Sequence, residues 1–200
     1  MKDAHEYSDE NQKVAAILKA AFEAFRSYGF RRTSMEDIAA GAGMSRSALY
    51  LHFRNKEDIF RSLVARYYDE NARAMEAALS TSEPVREALT LALAAKDGQT
   101  MEAILASPHG AELMDTGFAT STDIAVAGEA LFADILDKWL KTEAAAGRII
   151  LAPEFGSERD VAVSLLMAAK GLKQPGTESE NYRAMRDRLA SIFARGLGAE

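Results

Sequence analysis

Apolar residues recur at helical spacing along most of the chain. From about Asp9 to Tyr28 they follow an i, i+3, i+4 rhythm, which predicts an amphipathic first helix whose inner face is formed by Val14, Ile17, Leu18, Ala21, Phe22 and Phe25. The polar residues 1–8 lack this rhythm, and we expect them to be disordered.

The same spacing continues after residue 55. It predicts a helix that follows Asn55 as N-cap and runs to about Leu79, and another that starts at Pro84. A short helix around Met101, an ambiguous segment over 110–121 and three further helices complete the pattern, the last three at about 122–146, 157–172 and 178–197. Because no segment alternates with a period of two residues, the predicted fold class is all-α.

Residues 33 to 53 hold two short predicted helices joined by a tight turn. Thr33 with Glu36 three residues later forms a capping-box pattern that begins the first of them. Gly41 and Gly43 predict the sharp turn, because glycine adopts positive φ without a steric penalty. Ser45 is the expected N-cap of the second helix.

The second short helix is polar on most of its surface. Leu49 and Phe53, four residues apart, are expected to pack against the first helix. The other faces then present polar side chains, namely Arg46, Ser47, Tyr50 and His52. This layout is typical of a helix-turn-helix whose second helix enters the major groove of DNA.

These residues also carry a resemblance. The runs Thr33 to Ala39, Ala42 to Ser45, Leu49 to Phe53 and Asn55 to Glu57 resemble the DNA-binding domain of the tetracycline-repressor (TetR) family. The resemblance implies an amino-terminal three-helix domain over residues 9–55 and a larger helical effector-binding and dimerisation domain over 56–200. One departure is Ser47, where many members carry glycine, and it bears on the operator sequence rather than on the fold.

The helix-turn-helix predicts a set of DNA contacts. Arg46 is expected to reach a guanine, and Ser47 a base edge or phosphate. The remaining contacts, to the DNA backbone or to a thymine methyl group, are assigned to Thr33, Ser34, Ser45, Tyr50, His52 and Lys56. Lys56→Ala is therefore expected to weaken binding to all DNA and to lower the salt slope by about one, whereas Arg46→Ala relaxes sequence preference.

The last two helices are expected to form a dimer interface. In the family they pair with those of a second subunit in a four-helix bundle, and here the penultimate helix carries Val163, Leu166 and Met167 outside its main apolar stripe. A helix that is apolar on two sides usually has two neighbours. A C2 homodimer would place two recognition helices about 34 Å apart on a palindromic operator.

The middle helices hold the effector site by resemblance. Methionine and aromatic side chains suit an adaptable apolar pocket and suit an ordinary core equally. The candidate lining residues are Met101, Leu105, Met114, Phe118, Phe132, Trp139 and Met167. The expected effector is a small apolar or amphipathic molecule.

The charge distribution supports a nucleic-acid partner more than the total charge of −6 does. Residues 26 to 61 carry seven basic and four acidic side chains, a net charge of +3, whereas the remaining 164 residues sum to −9. Such asymmetry directs one end of a molecule toward phosphate. The absence of cysteine, of a signal sequence and of a long apolar run predicts a cytoplasmic protein without a membrane segment.

Two alternatives stay open from the residues. One is an all-helical protein-interaction module. The other is an enzyme, which would have to use His109, because the remaining histidines lie in the polar amino-terminal tail and in the helix-turn-helix. The sequence contains no recognisable phosphate loop, zinc motif or nucleophile elbow, so we expect no catalytic residue, cofactor or metal.

Overall fold

The computed structural model describes residues 2–198, without the side chains of residues 2–9 and Phe118. Within this range the chain is all-α, as predicted, with a short 3₁₀ turn at Pro153–Phe155 as its other regular element. The helices are α1 (Lys2–Tyr28), α2 (Met35–Gly41), α3 (Arg46–His52), α4 (Lys56–Leu79), α5 (Val85–Leu105), α6 (Gly110–Ala145), α7 (Glu158–Gly171) and α8 (Ser179–Gly196).

Helix α1 begins earlier than the sequence suggested. Its first residue is Lys2, so the expected start near Asp9 is too late; Met1 lies outside the described residues. The segment contains no glycine or proline, and its lysine, alanine and glutamate residues favour helix. Acidic residues in the first turns also complement the positive end of the helix dipole.

Helix α2 is capped by Ser34 and not by Thr33. The Ser34 hydroxyl accepts from the Asp37 amide, and the Asp37 carboxylate accepts from the Ser34 amide at 2.9 Å, which completes the capping box one residue later than predicted. Thr33 is buried, and its hydroxyl donates to the Gly29 carbonyl at 2.8 Å. Both registers fit the S/T-x-x-acidic pattern, and the burial of Thr33 decides between them.

The two glycines between α2 and α3 serve different purposes. Gly43 has φ +67° and open space around it, so it makes the sharp turn. Gly41 is helical, and a Cβ there would lie 3.2 Å from the Ala20 side chain, so its role is the close approach of α2 to α1. The predicted turn therefore needs one of the two glycines, and helix packing needs the other.

Two apolar clusters organise the molecule. The amino-terminal core joins α1, α2, α3 and the first turn of α4, and in it the rings of Phe25, Phe30 and Phe60 contact one another at centroid distances of 5.2 to 5.6 Å. The larger body core joins α4 to α8 around Phe132 and Leu136. Helix α4 contributes to both clusters, so it links the helix-turn-helix to the body.

Helices α5 and α6 are each longer than predicted and each is kinked. α5 is interrupted at Gly98, where φ is 57° and ψ is −173°. α6 is interrupted at the buried Ser121, so the ambiguous segment 110–121 is its first part. The predicted short helix around Met101 is thus the second part of α5.

The beginning of α6 attaches the body to the turn after α1. The Glu112 carboxylate accepts from the Arg31 amide at 2.8 Å, and the Ser107 hydroxyl donates to the Arg26 carbonyl at 2.7 Å. These bonds fix where the helix-turn-helix sits relative to α4 and α6.

Candidate nucleic-acid interface and adjoining cavity

Helix α3 buries one side and exposes the other. Leu49 is fully buried against α1 and α2. The opposite face presents Arg46 together with Ser47, Tyr50 and Leu51, the last three of which follow the i, i+3, i+4 spacing of a single helical face, and the exposed Arg54 follows the end of α3. The structure thus brings together Arg46, Ser47 and Tyr50 as the sequence predicted.

Arg46 is exposed but held in position. Its guanidinium forms an ion pair with Glu36 of α2 and hydrogen-bonds the Tyr50 hydroxyl at 3.4 Å. It also lies over the Tyr50 ring, 5.4 Å from the centroid. An exposed ion pair of this kind contributes about 0.2–1 kcal/mol, so exchanging Glu36 for a nucleic-acid acceptor costs little.

Ser34 and Ser45 lie at the starts of α2 and α3. The Ser45 hydroxyl accepts from the Ala48 amide at 3.1 Å, which confirms it as the predicted N-cap. Ser34 is partly exposed, whereas Thr33 beside it faces the interior. The expectation that the Thr33 side chain faces DNA is therefore wrong, because burial and the bond to Gly29 occupy it.

His52 does not share the exposed face. Its side chain is 8% exposed, and Nδ1 lies 3.0 Å from a carboxylate oxygen of Glu10 on α1. The prediction that it is displayed with Arg46 and Tyr50 is wrong, since the histidine closes the contact between α3 and α1. The sequence did not indicate this contact, because the first helix was predicted to begin near Asp9 and Glu10 was therefore expected at its very start.

The ammonium group of Lys56 is hydrogen-bonded within the protein. Its ammonium donates to the carbonyls of Phe30, Thr33 and Arg31 at 2.8, 3.0 and 3.1 Å, and lies 4.7 Å from the centre of the Phe30 ring. An ammonium has three N–H donors, and these carbonyls use all three. The prediction that Lys56 is free to meet phosphate is therefore wrong for this arrangement, in which it ties the 30–33 loop to α4.

Two exposed residues beside α3 were not among the predicted contacts. Leu51 is 86% exposed, the largest value among the exposed large apolar side chains of the described chain. Arg54 follows α3, and its side chain is 88% exposed with an ion pair to Asp58. These residues lie four and seven positions after Ser47, and that spacing could have indicated that they are near the exposed face. The apolar character of Leu51 suggested a core residue instead.

A cavity of about 620 Å³ lies directly behind the helix-turn-helix. It is bounded by α1, α4, α5, α6 and the end of α7. Most of its wall is apolar, formed by Leu18, Phe22, Phe25, Phe60, Leu63, Val64, Met101, Ile104, Leu113 and Met114. Its volume lies within the range of about 300–1,000 Å³ that small-molecule sites occupy.

The predicted pocket residues divide into three groups. Met101 and Met114 line the cavity. Leu105, Phe132 and Trp139 do not line this cavity and are buried core residues, and Met167 lies outside it, 63% exposed on α7. The side chain of Phe118 lies outside the described residues. Composition alone does not separate cavity from core, and the aromatic wall from α1 and α4, including Phe22, Tyr67 and Tyr68, was missed.

A buried charge cluster forms one end of the cavity. Asp97 is 1% exposed, and its Oδ1 accepts from Lys96 at 2.9 Å, Lys173 at 2.6 Å and the Tyr67 hydroxyl at 3.4 Å, while Oδ2 accepts from Tyr182. Burial opposes the charge on Asp97, but the two ammonium groups outweigh it and hold its pKa well below the ordinary value. Burial and the neighbouring carboxylates raise the pKa of Tyr67, so this phenol stays a neutral donor.

Arg61 joins α4 to the kink of α6. It forms a bidentate pair with Asp123 at 2.7 and 2.8 Å and donates to the Thr120 carbonyl, next to the interruption at Ser121. The hydrogen bonds from Arg61 lower the pKa of Asp123 to about 2. The kinked segment of α6 is thus fastened to the helix that carries the helix-turn-helix.

Apolar side chains face outward from the last two helices. Val163 and Met167, four residues apart on α7, are exposed, and so is Ile192 on α8. Leu166, expected on the same outer face, is instead buried in the body core. The apolar outer face of α7 is therefore narrower than predicted.

In the described part of the chain, no group of three or more histidine, aspartate or glutamate side chains is arranged to hold a metal ion. His109 precedes α6 and lies 3.6 Å from the Glu112 carboxylate, at the junction with the α1–α2 turn. No helix between residues 2 and 198 combines the length and apolar character needed to cross a membrane.

Comparison with known proteins places the helix-turn-helix in a family. Residues 17–63 match the family model described as bacterial regulatory proteins, tetR family. The transcriptional repressor BepR of Brucella suis biovar 1 is 43% identical over 51 residues, which cover 26% of this chain and 24% of BepR. The match to YfiR of Bacillus subtilis covers 36% of that protein, so the chain spans between about a quarter and about a third of these two curated relatives.

Solved structures match along almost the whole chain. A transcriptional regulator from Cytophaga hutchinsonii has a TM-score of 0.72 at 19% identity, over 92% of this chain and 97% of that one. SmeT, the repressor of the Stenotrophomonas maltophilia multidrug efflux pump SmeDEF, has a TM-score of 0.66 at 20% identity, over 94% and 90%. A second SmeT structure is a complex with triclosan. At these identities the likeness shows the shared fold.

Proposed function

We propose that this chain, whose residues 17–63 match the tetR family of bacterial regulatory proteins, is a cytoplasmic, ligand-responsive transcriptional repressor that binds a palindromic operator as a dimer. The observation that carries the proposal is the exposed face of α3, where Arg46, Ser47 and Tyr50 stand outward over the buried Leu49. The family assignment also decides against the enzyme alternative that used His109.

The exposed face matches what groove recognition needs. A guanidinium can donate two parallel hydrogen bonds to guanine O6 and N7. Leu51 adds an apolar surface suited to the thymine methyl group, and Arg54 adds a cation suited to phosphate. Ser34 and Ser45 lie at the edge of this face, where partly exposed hydroxyls suit the sugar–phosphate backbone.

Selection of bound sequences from a random duplex pool tests this function. The wild-type chain should recover a palindrome, because a C2 dimer presents α3 twice in opposite orientations. The Arg46→Ala variant should lose a guanine preference at one position of each half-site, with an affinity loss of about 10- to 100-fold. Recovery of no preferred sequence by the wild-type chain would reject DNA reading, and an unchanged sequence preference in the variant would reject the role of Arg46.

We propose the outward face of α7 and α8 as the dimer interface. Val163, Met167 and Ile192 are exposed in the single chain, and large exposed apolar side chains at neighbouring positions mark association surfaces. A second copy of the same face would cover them and form a four-helix bundle. A dimer formed through this face would also present two copies of α3, as recognition of a palindromic operator requires.

Met167→Glu tests the interface with little risk to the fold, because the side chain is 63% exposed. We expect the sedimentation mass at micromolar concentration to fall from dimer to monomer, since a charge would be buried against its own symmetry mate. Tyr28→Glu, a comparable change on the exposed end of α1, is the matched control and should stay dimeric. A dimeric Met167→Glu variant, or a monomeric wild-type protein, would reject the interface.

We propose the 620 Å³ cavity as the effector site. Its walls come from α1 on one side and from α4 and α6 on the other, so an occupant contacts both the amino-terminal core, on which α2 and α3 pack, and the body. Filling it would shift α4 and α6, which hold the 30–33 loop through Lys56, Arg31 and Glu112. A 100-fold loss of operator affinity needs only about 2.7 kcal/mol of coupling, within the usual allosteric range.

A further inference from the structure

The buried cluster at the end of the cavity carries an excess positive charge. Lys96 is fully buried and Lys173 nearly so, and both ammonium groups share the single carboxylate of Asp97. The neighbouring carboxylate of Glu102 is already paired with Arg183, 2.5 Å away, and faces Arg186. The cluster of two lysines and one aspartate is therefore left with a net charge of +1 in a low-dielectric surrounding, where unbalanced charge is costly.

Lys173 connects this charge to the cavity. Its side chain is part of the cavity wall, whereas Lys96 lies behind it against the Phe132 ring. An ammonium has three donors, and a bond to Asp97 uses one of them. Lys173 therefore presents hydrogen-bonding capacity and charge toward the space that an occupant would fill.

The remaining charged groups of the wall also favour an anion. Arg66 and Glu70 neutralise each other at 2.6 Å. Glu129 is the other carboxylate of the wall, and the Tyr68 hydroxyl donates to it at 3.3 Å. Lys170 lies one helical turn before Lys173, and Lys19 lies on α1, so cations outnumber carboxylates around the opening.

From these observations we infer that the effector is an organic acid with an apolar body, whose acidic group binds Lys173 while the body packs against the α1, α4 and α6 walls. This inference rests on the proposed effector site and specifies its ligand class. The anion would neutralise the net positive charge of the Lys96–Asp97–Lys173 cluster. The acidic group of the effector would therefore be bound by a charge that is already buried in the folded protein.

Two fluorescent probes that share one apolar skeleton test the inference on the full-length chain. 1-Anilinonaphthalene-8-sulfonate carries an acidic group, and N-phenyl-1-naphthylamine lacks it. We expect the sulfonate to bind the wild-type protein at least about tenfold more tightly, as a charge-assisted bond in a dry site predicts. Lys173→Met keeps the length of the side chain and should weaken the sulfonate about tenfold while changing the amine less than about twofold.

Two further variants test whether the probes bind in the cavity and whether the loss of affinity is specific to Lys173. Lys138→Met removes the same charge from an exposed position of α6 outside the cavity wall, and it should change neither probe. Met101→Trp fills part of the cavity and should weaken both probes. Lys173→Met leaves Asp97 paired with Lys96 and the two tyrosines, so this variant is expected to fold.

The outcomes separate the ligand class from the site. If the neutral probe binds wild type as tightly as the sulfonate, or if Lys173→Met weakens both probes equally, the acidic effector is rejected while the effector cavity stands. If neither probe binds, or if Met101→Trp leaves both unchanged, the cavity itself is rejected as the binding site. The selection of bound sequences from random duplexes does not depend on either result, so it tests sequence-specific DNA binding separately.

Discussion

Replacing Asp97 with alanine is expected to lower the free energy of unfolding by about 3–5 kcal/mol, the largest effect of any single substitution proposed for this chain. The reason is that Lys96 and Lys173 are buried and depend on this carboxylate for neutralisation. Tyr67 and Tyr182 would lose their acceptor as well. Urea denaturation at one fixed protein concentration measures the loss, since a dimer's stability depends on concentration.

Asp97→Asn separates charge from shape. It keeps the volume of the side chain and an acceptor oxygen but removes the charge, so it should recover only a small part of the loss. The triple variant Asp97→Ala, Lys96→Met, Lys173→Met removes the stranded cations together with their partner and should recover at least about half of the loss. Equal stability of Asp97→Ala and wild type would show that the cluster is not the buried ionic centre described above.

The pH dependence follows from the direction of the Asp97 shift. Its pKa is lowered in the folded protein, so the stabilisation is complete above the ordinary pKa of the carboxyl group and is lost as the pH falls through the lower, folded value. The difference between wild type and Asp97→Ala should therefore be constant between about pH 5 and pH 8. A difference that shrinks within that interval would contradict a carboxylate held in its charged form.

The second large effect is expected at Lys56. Lys56→Ala should destabilise the protein by about 2 kcal/mol, because three carbonyl oxygens lose a charged donor and the Phe30 ring loses its cation. For a chain of this size the thermal midpoint should fall by roughly 4–8 °C. Since the ammonium is already occupied, the salt slope of DNA binding should stay unchanged, in contrast to the sequence-based expectation.

Arg54→Ala is the matched control for Lys56. The Arg54 side chain lies at the same end of α4 but is 88% exposed. Its loss should leave the thermal midpoint nearly unchanged and lower the salt slope by about one for each subunit bound, or about two for a dimer on its operator, as removal of one phosphate contact per subunit requires. The opposite pattern, in which Lys56→Ala lowers the salt slope of DNA binding and leaves the stability unchanged, would show that Lys56 contacts phosphate. It would also contradict the role of Lys56 in holding the 30–33 loop to α4.

The position of the cavity gives the proposed regulation a physical route. The cavity touches α1 of the amino-terminal core and the helices α4 and α6 of the body. Arg61 fastens α4 to the kink of α6, and Glu112 fastens the start of α6 to the turn after α1. An occupant therefore acts on a set of helices that are already bonded to one another around it.

Local chemistry made several positions predictable. Ser45 and Asn55 cap α3 and α4 as expected, with side-chain oxygens that accept from amides three residues later. The apolar rhythm identified α1, α4, α7 and α8, and the spacing around Leu49 identified the exposed face that displays Arg46 and Tyr50. Each of these features depends on residues within about one or two helical turns of one another.

Thr33 shows where such local information became ambiguous. Thr33 and Ser34 both begin an acceptable capping box, and the choice followed from the Gly29 carbonyl that holds Thr33 inside. His52 was assigned to DNA as a polar residue of α3, and Lys56 because the start of α4 favours an anion such as phosphate and because the family resemblance implies the same contact. Their partners, Glu10 and the 30–33 carbonyls, lie more than twenty residues away and come close only after α1 packs on α3 and α4.

The amino-acid sequence by itself determined the all-α class, the helix-turn-helix and the outward position of Arg46, Ser47 and Tyr50 on α3, because helix caps and apolar periodicity act over a few neighbouring residues. Tertiary structure alone decided which polar groups are already satisfied within the protein and where the cavity lies. Both depend on distances between helices far apart in the chain, such as the approach of Lys173 to Asp97, and burial then fixes whether a lysine serves as a surface charge, a clasp or a ligand-binding group.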